Sequence, residues 1–352
     1  MPSEPSAPPP SAPPVEKRRR SSGRVTLADV AKAAGVSPIT ASRALRRDRG
    51  VAETLVAKVQ AAADALGYVP DPAARALASS RSTHVAVLVP LLTNRLFVDL
   101  LEAVQSVLLP AGYQSLIGVT HYDAHEEEQL LRSYMAHRPA GLIVTGFDRS
   151  EAGSRLVASS RLPCVHVMET SAQPDVFCVG FSQEDAGHAV TRHLVERGRR
   201  RIAFVGAQLD ARVMQRLEGY RRCLRDAGRH DAALEWLDPR RSSIALGAEL
   251  FEALLVRHPD VDAIFFCNDD LGQGGLLAAL RLGIAVPERI AVTGFNDLEG
   301  SDQMLPPLTT VRTPRAQIGA QAATMLLGLM RGEADVPHNV DVGYELVVRG
   351  SS

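Results

Sequence analysis

The sequence predicts a two-part fold, with a small all-α head followed by a larger α/β body of two doubly wound, parallel-sheet subdomains. Residues 25–66 show capped, amphipathic helical segments around a glycine turn, whereas from His84 onward short apolar runs alternate with helical segments. The length of 352 residues is also too great for one ordinary domain. We therefore expect the head and the body to form separate domains.

The overall composition is typical of a soluble globular protein, with 45% hydrophobic and 22% charged residues. Because the sequence contains no run of about 18 apolar residues, we expect no membrane span and no membrane partner. Residues 1–22 are rich in Pro and then basic, and they lack the apolar segment of a secretory signal, so we expect a disordered tail on a cytoplasmic protein. Four widely spaced cysteines are expected to be reduced thiols: Cys164, Cys178, Cys223 and Cys267.

Charge is distributed unevenly along the chain, although the net charge is only −1. Residues 1–81 contain 13 Lys and Arg against 7 Asp and Glu, a balance of +6, and the remaining residues have a balance of −7. A basic head on an acidic body is typical of a protein whose head binds a polyanion.

The head begins with two short helices that are predicted from their caps. Thr26 followed by Asp29 predicts a capping box at the start of the first helix, and Gly35 can adopt the positive φ that ends it. Ser37 caps the second helix, which begins at Pro38. A third helix is predicted over residues 54–66, and the three helices share a core that includes Ala41, Ala44, Leu45, Val56, Val59, Ala63 and Leu66.

A helix, a glycine turn and a second helix with small polar residues and an arginine form the helix-turn-helix pattern. Together with the basic charge of the head, this pattern predicts binding to double-stranded DNA. Arg43 is the candidate for a bidentate contact to guanine, whereas the side chains of Pro38 and Ile39 can contact only a thymine methyl group. Phosphate contacts are expected from Thr26, Ser37, Thr40 and Ser42.

The stretch VTLADVAKAAGVSPITASRAL at 25–45, with GYVPDPAARALAS at 67–79, resembles the start of lactose-repressor (LacI) family transcription factors. The resemblance implies a short hinge helix that inserts a leucine into the minor groove at the centre of the operator. Leu77 holds that position, and Arg75 can approach a phosphate or the groove floor. The chain departs from the family pattern at Ala52, where a capping serine often precedes the third helix.

The body contains seven candidate strands, each a short apolar run between helical segments. Such continuous apolar runs indicate parallel strands that are covered on both faces. Ligands of these sheets bind beyond the carboxyl ends of the strands. The predicted strands span residues 85–90, 113–119, 141–146, 164–168, 201–207, 263–267 and 290–295.

No motif in the body supports an enzyme. The segment DDLGQGG at 269–275 is rich in glycine but lacks the GxGxxG spacing of a dinucleotide site, and no GxxxxGK[ST], GxSxG or HExxH motif occurs. The ten histidines show no metal-ligand spacing. We therefore expect no enzymatic activity, no metal and no cofactor.

The body resembles the LacI family over nearly its whole length, with the landmarks GRRRIAFVGA at 198–207 and VTGFNDLEGSDQMLPPLTTVR at 292–312. The resemblance implies a fold of the periplasmic-binding-protein type, in which two subdomains are hinged around a small-molecule cleft. It also implies an effector site built from loops that follow the strands. Carried over position by position, that site comprises Asn94, Phe97, His121, Glu169, Ser182, Arg216, Asn268, Asp269 and Asn296.

The residue types at these positions indicate an anionic effector. Family members that bind neutral sugars often have aspartates where this chain has Met168, Ser182 and Asn296. The chain keeps Arg216, which can bind a carboxylate bidentately, and adds His121. These differences favour a ligand that carries negative charge.

The segment around Ser242 favours an open-chain effector. Several relatives place an aromatic residue there that stacks on a sugar or purine ring, but DPRRSSIALG at 238–247 contains none. The segment VMETSAQPDVFCVGFSQEDAGHAVTRHL at 167–194 also resembles the gluconate-responsive branch of the family. We therefore expect a sugar acid such as gluconate, and a neutral sugar or a purine is the alternative effector.

These observations predict a one-component transcriptional repressor that is controlled by a small-molecule effector and acts as a homodimer, because one head recognises only half of an operator. A solute-binding protein is the alternative from another class, but it would share only the body. The expected domains are a tail at 1–22, a helix-turn-helix domain at 23–69, a hinge helix and linker at 70–82, and an effector-binding and dimerisation domain at 83–352.

Overall fold

The computed structural model describes residues 25–69, 82–93 and 95–352 of the chain. The chain divides between residues 80 and 81 into two compact units, the head and the body. Arg75 and Leu77 of the expected hinge, and Asn94 of the expected effector site, lie outside the described residues.

The head is a three-helix unit, as the sequence predicts. Thr26 and Asp29 form the expected capping box, and Ser37 accepts a hydrogen bond from the Thr40 amide at 3.1 Å. Gly35 has a φ of +65°, the left-handed conformation that ends the first helix. The helices of the head are α1 (Leu27–Ala33), α2 (Pro38–Leu45) and α3 (Glu53–Ala65).

The core of the head differs from the prediction at the carboxyl end of α3. Leu66 was expected in the core but is 38% exposed, because α3 ends at Ala65 and Leu66 is its C-cap. Tyr68 packs against the core instead. No side chain caps the start of α3, where Ala52 occupies the N-cap. The fully buried core residues of α2 and α3 are Ala41, Ala44, Val59 and Ala63.

The first subdomain of the body is a doubly wound parallel sheet. Its strands are β1 (His84–Val89), β2 (Gln114–Val119), β3 (Gly141–Thr145), β4 (Cys164–Val167), β5 (Phe177–Gly180) and β11 (Asn339–Asp341). They lie in the order β2-β1-β3-β4-β5-β11, and every neighbouring pair is parallel. The helices that cover its two faces are α4 (Arg95–Leu108) and α11 (Arg315–Arg331) on one side, and α5 (Ala124–Ala136) and α6 (Glu151–Ser160) on the other.

The second subdomain is a smaller parallel sheet. Its strands are β6 (Ile202–Ala207), β7 (Glu235–Asp238), β8 (Ala263–Phe266) and β9 (Ala291–Thr293), in the order β7-β6-β8-β9. Its helices are α7 (Gln183–Glu196), α8 (Ala211–Asp226), α9 (Ile244–Arg257) and α10 (Asp269–Leu282). Helix α7 packs on α8, and α9 packs on α10. A separate antiparallel pair joins β10 (Thr310–Arg312) and β12 (Glu345–Val347).

The two-subdomain, doubly wound architecture of the body is confirmed, as are all seven predicted strands. Five further strands were not predicted, namely β5, β7, β10, β11 and β12, each of which is only three or four residues long. The chain passes between the subdomains after β5, after β9 and after β11. These crossings leave a cleft at the carboxyl ends of the strands of both sheets.

Candidate DNA-binding surface and effector site

The surface of the head that could meet DNA is formed by α2 and its cap. Arg43 is the cation of this surface, and its side chain is half exposed. Its contacts within the head are long, since Nε lies 4.0 Å from the Asp48 carboxylate and Nη2 lies 3.5 Å from the Arg49 carbonyl oxygen. Of the other predicted residues, Thr40 and Ser42 are half-buried, and the exposed ones are Thr26, Ser37, Pro38 and Ile39.

A cleft of about 430 Å³ opens between the subdomains of the body. This volume is within the usual range of small-molecule sites. The loops that line it follow β1, β2, β4, β6, β7, β8 and β9, which is where parallel sheets bind ligands. The residues that line the cleft are Leu91, Thr93, Leu96, Phe97, Tyr122, Met168, Ala207, Gln208, Asp210, Arg212, Val213, Arg216, Ser242, Ser243, Ile244, Ala245, Asn268, Asp270 and Asn296.

Arg216 on α8 is a buried cation of the cleft, with an exposure of 5%. Its Nε donates to Gln183 Oε1 at 2.9 Å, and its Nη1 donates to the Cys267 carbonyl oxygen at 2.7 Å. Its guanidinium carbon lies 3.8 Å from the centroid of the Phe295 ring. These partners are neutral, and Arg216 forms no ion pair with any residue of the described ranges. Burial lowers the pKa of Arg216, so an anion in the cleft would stabilise its charge.

The packing of α7 on α8 holds Arg216 in this position. Gly187 of α7 lies against α8 so closely that a Cβ atom there would come within 2.4 Å of the Arg216 carbonyl oxygen. One turn earlier, Gln183 donates from Nε2 to the Met168 carbonyl oxygen at 2.9 Å. This bond turns the Gln183 Oε1 atom towards Arg216.

Arg212, one turn before Arg216 on α8, connects the two subdomains. Its Nη1 lies 3.1 Å from Glu169 and 3.5 Å from Asp148, which both belong to the first subdomain. Its Nη2 lies 3.3 Å from Asp210 of its own subdomain. Burial alone would lower the pKa of Arg212, but the surrounding carboxylates outweigh burial and raise it. Arg212 therefore forms ion pairs with three carboxylates, whereas Arg216 forms none among the described residues and is influenced only at longer range by Asp210.

The cleft includes four of the residues carried over from the family, namely Phe97, Arg216, Asn268 and Asn296. Glu169 is buried beside the cleft and contributes to it through its ion pair with Arg212. Ser182 is the N-cap of α7 and does not line the cleft. His121 does not line it either, because its ring turns outward and lies 2.7 Å from the Glu126 carboxylate.

Asp269, also carried over from the family, has a structural role in this fold. It is fully buried and does not line the cleft. Its carboxylate accepts hydrogen bonds from the Leu298 amide and from the Thr310 hydroxyl, both at 2.6 Å. Burial raises the pKa of Asp269 to about 6, although these hydrogen bonds oppose the rise.

The raised pKa of Asp269 predicts a pH-dependent stability. Between an unfolded pKa of 3.8 and a folded pKa of about 6, the folded protein keeps a proton that the unfolded chain has lost. This carboxyl group therefore lowers the free energy of unfolding as the pH rises through that window, by about 3 kcal/mol in total. Asp269→Asn should flatten this part of the profile in urea unfolding at about pH 4 and pH 7. The same pH dependence in both proteins would show that Asp269 titrates normally.

The structure places in the cleft several residues that the sequence did not single out, namely Tyr122, Gln208, Asp210, Arg212 and Asp270. Burial raises the pKa of the Tyr122 phenol. Arg212 could have been found from its spacing, because residues four apart share one face of a helix. Tyr122 follows His121 and Asp270 follows Asp269, and in each case the sequence analysis assigned the preceding residue to the effector site.

Among the described residues, no group of three His, Cys, Asp or Glu side chains is arranged to hold a metal ion. No helix within residues 25–69, 82–93 and 95–352 is long and apolar enough to cross a membrane. The four cysteines form no disulfide.

Comparisons with known proteins agree with this division into a head and a body. Residues 26–71 match the model of bacterial regulatory proteins of the lacI family, and residues 191–352 match a periplasmic binding protein-like domain. The HTH-type transcriptional regulator GntR of Pseudomonas aeruginosa is 55% identical over 337 residues, which are 96% of this chain and 98% of that relative. The chain belongs to the LacI family of bacterial regulators.

Other relatives are similar over most of the chain or over a large part of it. GntR of Escherichia coli K12 is 34% identical over 93% of this chain and 98% of its own length. The crystal structure of GntR from Chromobacterium violaceum has a TM-score of 0.75 and 51% identity, over 76% of this chain and 99% of that one. The lac repressor dimer bound to operator has a TM-score of 0.82 and 26% identity, over 93% of this chain and 99% of that one. The predicted DNA-binding transcriptional regulator is therefore confirmed.

Proposed function

We propose that this LacI-family regulator is a repressor whose effector is a sugar acid such as gluconate. The observation that supports the proposal is Arg216, a buried guanidinium in the cleft whose partners are all neutral. A carboxylate is the anion that a planar guanidinium binds best, because two parallel hydrogen bonds form at once. A neutral sugar or a purine would occupy the cleft and leave the charge of Arg216 unbalanced.

The rest of the cleft suits an open polyhydroxy chain. Ser242 donates to Asn268 at 2.8 Å, so two polar side chains occupy the place where an aromatic ring would stack on a cyclic ligand. Phe97 and Tyr122 also line the cleft, but they belong to the first subdomain. Polar groups of the second subdomain can hydrogen-bond the hydroxyls of an extended ligand, as in other small-molecule sites.

We propose further that the protein acts in the cytoplasm as a homodimer, because two heads are needed to bind both halves of a palindromic operator. A second copy could cover the apolar side chains that α10 presents. Leu277, Leu280 and Leu282 are exposed there by 40%, 62% and 53%. In this proposal residues 70–82 form the hinge helix and linker, with Arg75 and Leu77 at the minor groove.

The effector changes operator affinity only if it binds two arrangements of the body differently. In our proposal, gluconate binds the arrangement in which the subdomains close on the cleft. Arg212 contributes to that closure, since its ion pairs with Glu169 and Asp148 cross between the subdomains. Closure shifts the position of the hinges in the dimer and so separates the two hinge helices.

Arg43→Ala should reduce the discrimination between operator and random DNA by about 1–3 kcal/mol, because it removes the bidentate contact to guanine. Competition binding with the two DNAs at one salt concentration measures this ratio. Arg46→Ala is the matched control, since Arg46 is also half exposed on the head but is paired with Asp48 at 2.9 Å. A specificity ratio that is the same in Arg43→Ala and the wild type would remove this role from Arg43.

The proposed function is tested by operator release. Operator sites are first selected from random duplexes with the full-length protein, and one labelled site is then used in fluorescence anisotropy. Gluconate should release the operator, whereas glucose and hypoxanthine should leave it bound. Release by glucose or hypoxanthine, without any effect of gluconate, would replace the sugar acid with one of the alternative effectors.

A further inference from the structure

Asp270 is a second charge in the cleft that the protein itself does not balance. It is the second residue of α10, and its half-buried side chain lines the cleft. Its carboxylate has no hydrogen-bond or ion-pair partner within the part of the chain that the structure describes. Burial is the cause that raises the pKa of Asp270, with no cation opposing it.

The other carboxylate and both asparagine side-chain oxygens of the cleft are already used. Asp210 is paired with Arg212 at 3.3 Å. The Asn268 side-chain oxygen accepts from a serine hydroxyl at 2.8 Å and from a backbone amide at 3.1 Å. The Asn296 side-chain oxygen accepts from a threonine hydroxyl at 3.2 Å. Asp270 is therefore the carboxylate of the cleft that is available to a ligand.

We propose that Asp270 determines specificity by accepting hydrogen bonds from hydroxyl groups of the effector whose carboxylate is bound by Arg216. This inference rests on the proposed sugar-acid effector. Arg216 lacks an anion and Asp270 lacks a donor, so a ligand that combines one carboxylate with several hydroxyls satisfies both.

A carboxylic acid without hydroxyls would satisfy only one of the two charges. Hexanoate has the same chain length as gluconate, and its carboxylate can bind Arg216. Its methylene groups would, however, leave the Asp270 carboxylate desolvated and without a donor, which is unfavourable for a buried charge. Asp270 therefore strengthens the binding of gluconate and weakens the binding of hexanoate.

The test compares the two ligands in wild-type protein and in Asp270→Asn, using calorimetry for gluconate and competition with gluconate for hexanoate. Gluconate affinity should fall by about 10- to 100-fold, the effect of losing hydrogen bonds to a charged group. Hexanoate affinity should stay the same or rise, because a negative charge has left the site. Asp175→Asn is the control, since Asp175 is an exposed turn residue that does not line the cleft.

Asp270 also stands at a helix N-terminus, where a carboxylate stabilises α10. If the role of Asp270 is purely structural, Asp270→Asn should weaken the binding of both ligands by the same factor, and that result overturns the proposal. An unchanged affinity for gluconate also overturns it. Asp270→Ser, which keeps a residue that favours helix starts, replaces the first variant if Asp270→Asn does not fold.

If the wild type binds no gluconate, the sugar-acid proposal fails together with this one. Gluconate binding by the wild type, with the same gluconate-to-hexanoate ratio in the variant, overturns the role of Asp270 alone.

Discussion

Arg216→Ala should abolish the response to gluconate and leave operator binding intact. The substitution removes the guanidinium that we expect to bind the effector carboxylate, and truncating one partner of a buried charge pair costs about 2–5 kcal/mol. Gluconate affinity should therefore fall by roughly 30-fold or more. Calorimetry gives the affinity, and anisotropy of the labelled operator gives the response.

The control for this experiment is Arg222→Ala. Arg222 lies on the same helix, but its partners are Glu184 and Asp185 on the surface of the second subdomain. This variant should respond to gluconate as the wild type does. A normal gluconate response in Arg216→Ala would mean that the carboxylate binds elsewhere in the body.

Arg212→Met should cause a large loss of stability. It leaves Glu169 and Asp210, whose side chains are 4% and 8% exposed, without their cation. Removing one partner of a buried ion pair typically costs about 3–5 kcal/mol, because the remaining charge is uncompensated. Urea unfolding of the full chain measures the loss.

A double variant separates the stability cost of the unpaired carboxylates from the cost of lost side-chain packing. In Arg212→Met with Glu169→Gln, one of the two unpaired carboxylates becomes a neutral amide, so part of the lost stability should return. Arg225→Met is the control on the same helix, since Arg225 forms an exposed ion pair with Glu218. Equal stability of the single and the double variant would show that Glu169 does not depend on Arg212 for its charge.

Features that depend on neighbouring residues could be predicted from the sequence. The caps at Thr26 and Ser37 and the turn at Gly35 are set by side chains within three residues of each helix end. The seven predicted apolar runs were sufficient to locate their strands. All of these strands except the edge strand β2 are largely buried, and parallel strands buried on both faces require continuous apolar sequence. The two-subdomain fold of the body follows from the alternation of these runs with helices.

Features that depend on distant residues could not be predicted. The strand Asn339–Asp341 forms only because it pairs with Phe177–Gly180, far away in the sequence, and neither segment is long enough to show a pattern. The ion pairs of Arg212 likewise join α8 to loops of the other subdomain. Sequence alone shows that Arg212 and Arg216 share a helix face, but it does not show which of them forms ion pairs with carboxylates.

Two predicted site residues lie outside the cleft lining, at places where consecutive side chains point in different directions. His121 and Tyr122 both have positive φ angles, of 49° and 59°, and this local twist directs Tyr122 rather than His121 into the cleft. Asp269 and Asp270 are consecutive at the start of α10 and therefore point in different directions. The family resemblance points in both cases to a loop that lines the cleft, but the side chain that enters the cleft depends on the backbone conformation.

The most direct test of the sugar-acid proposal is a calorimetric titration of the full-length protein with gluconate and, separately, with glucitol. The two ligands share an open six-carbon chain of hydroxyls, and only gluconate carries the carboxylate that Arg216 is expected to bind. Saturable binding of gluconate, with no measurable binding of glucitol, is the predicted result. Equal binding of both ligands would contradict the account, because the carboxylate would then contribute nothing to recognition.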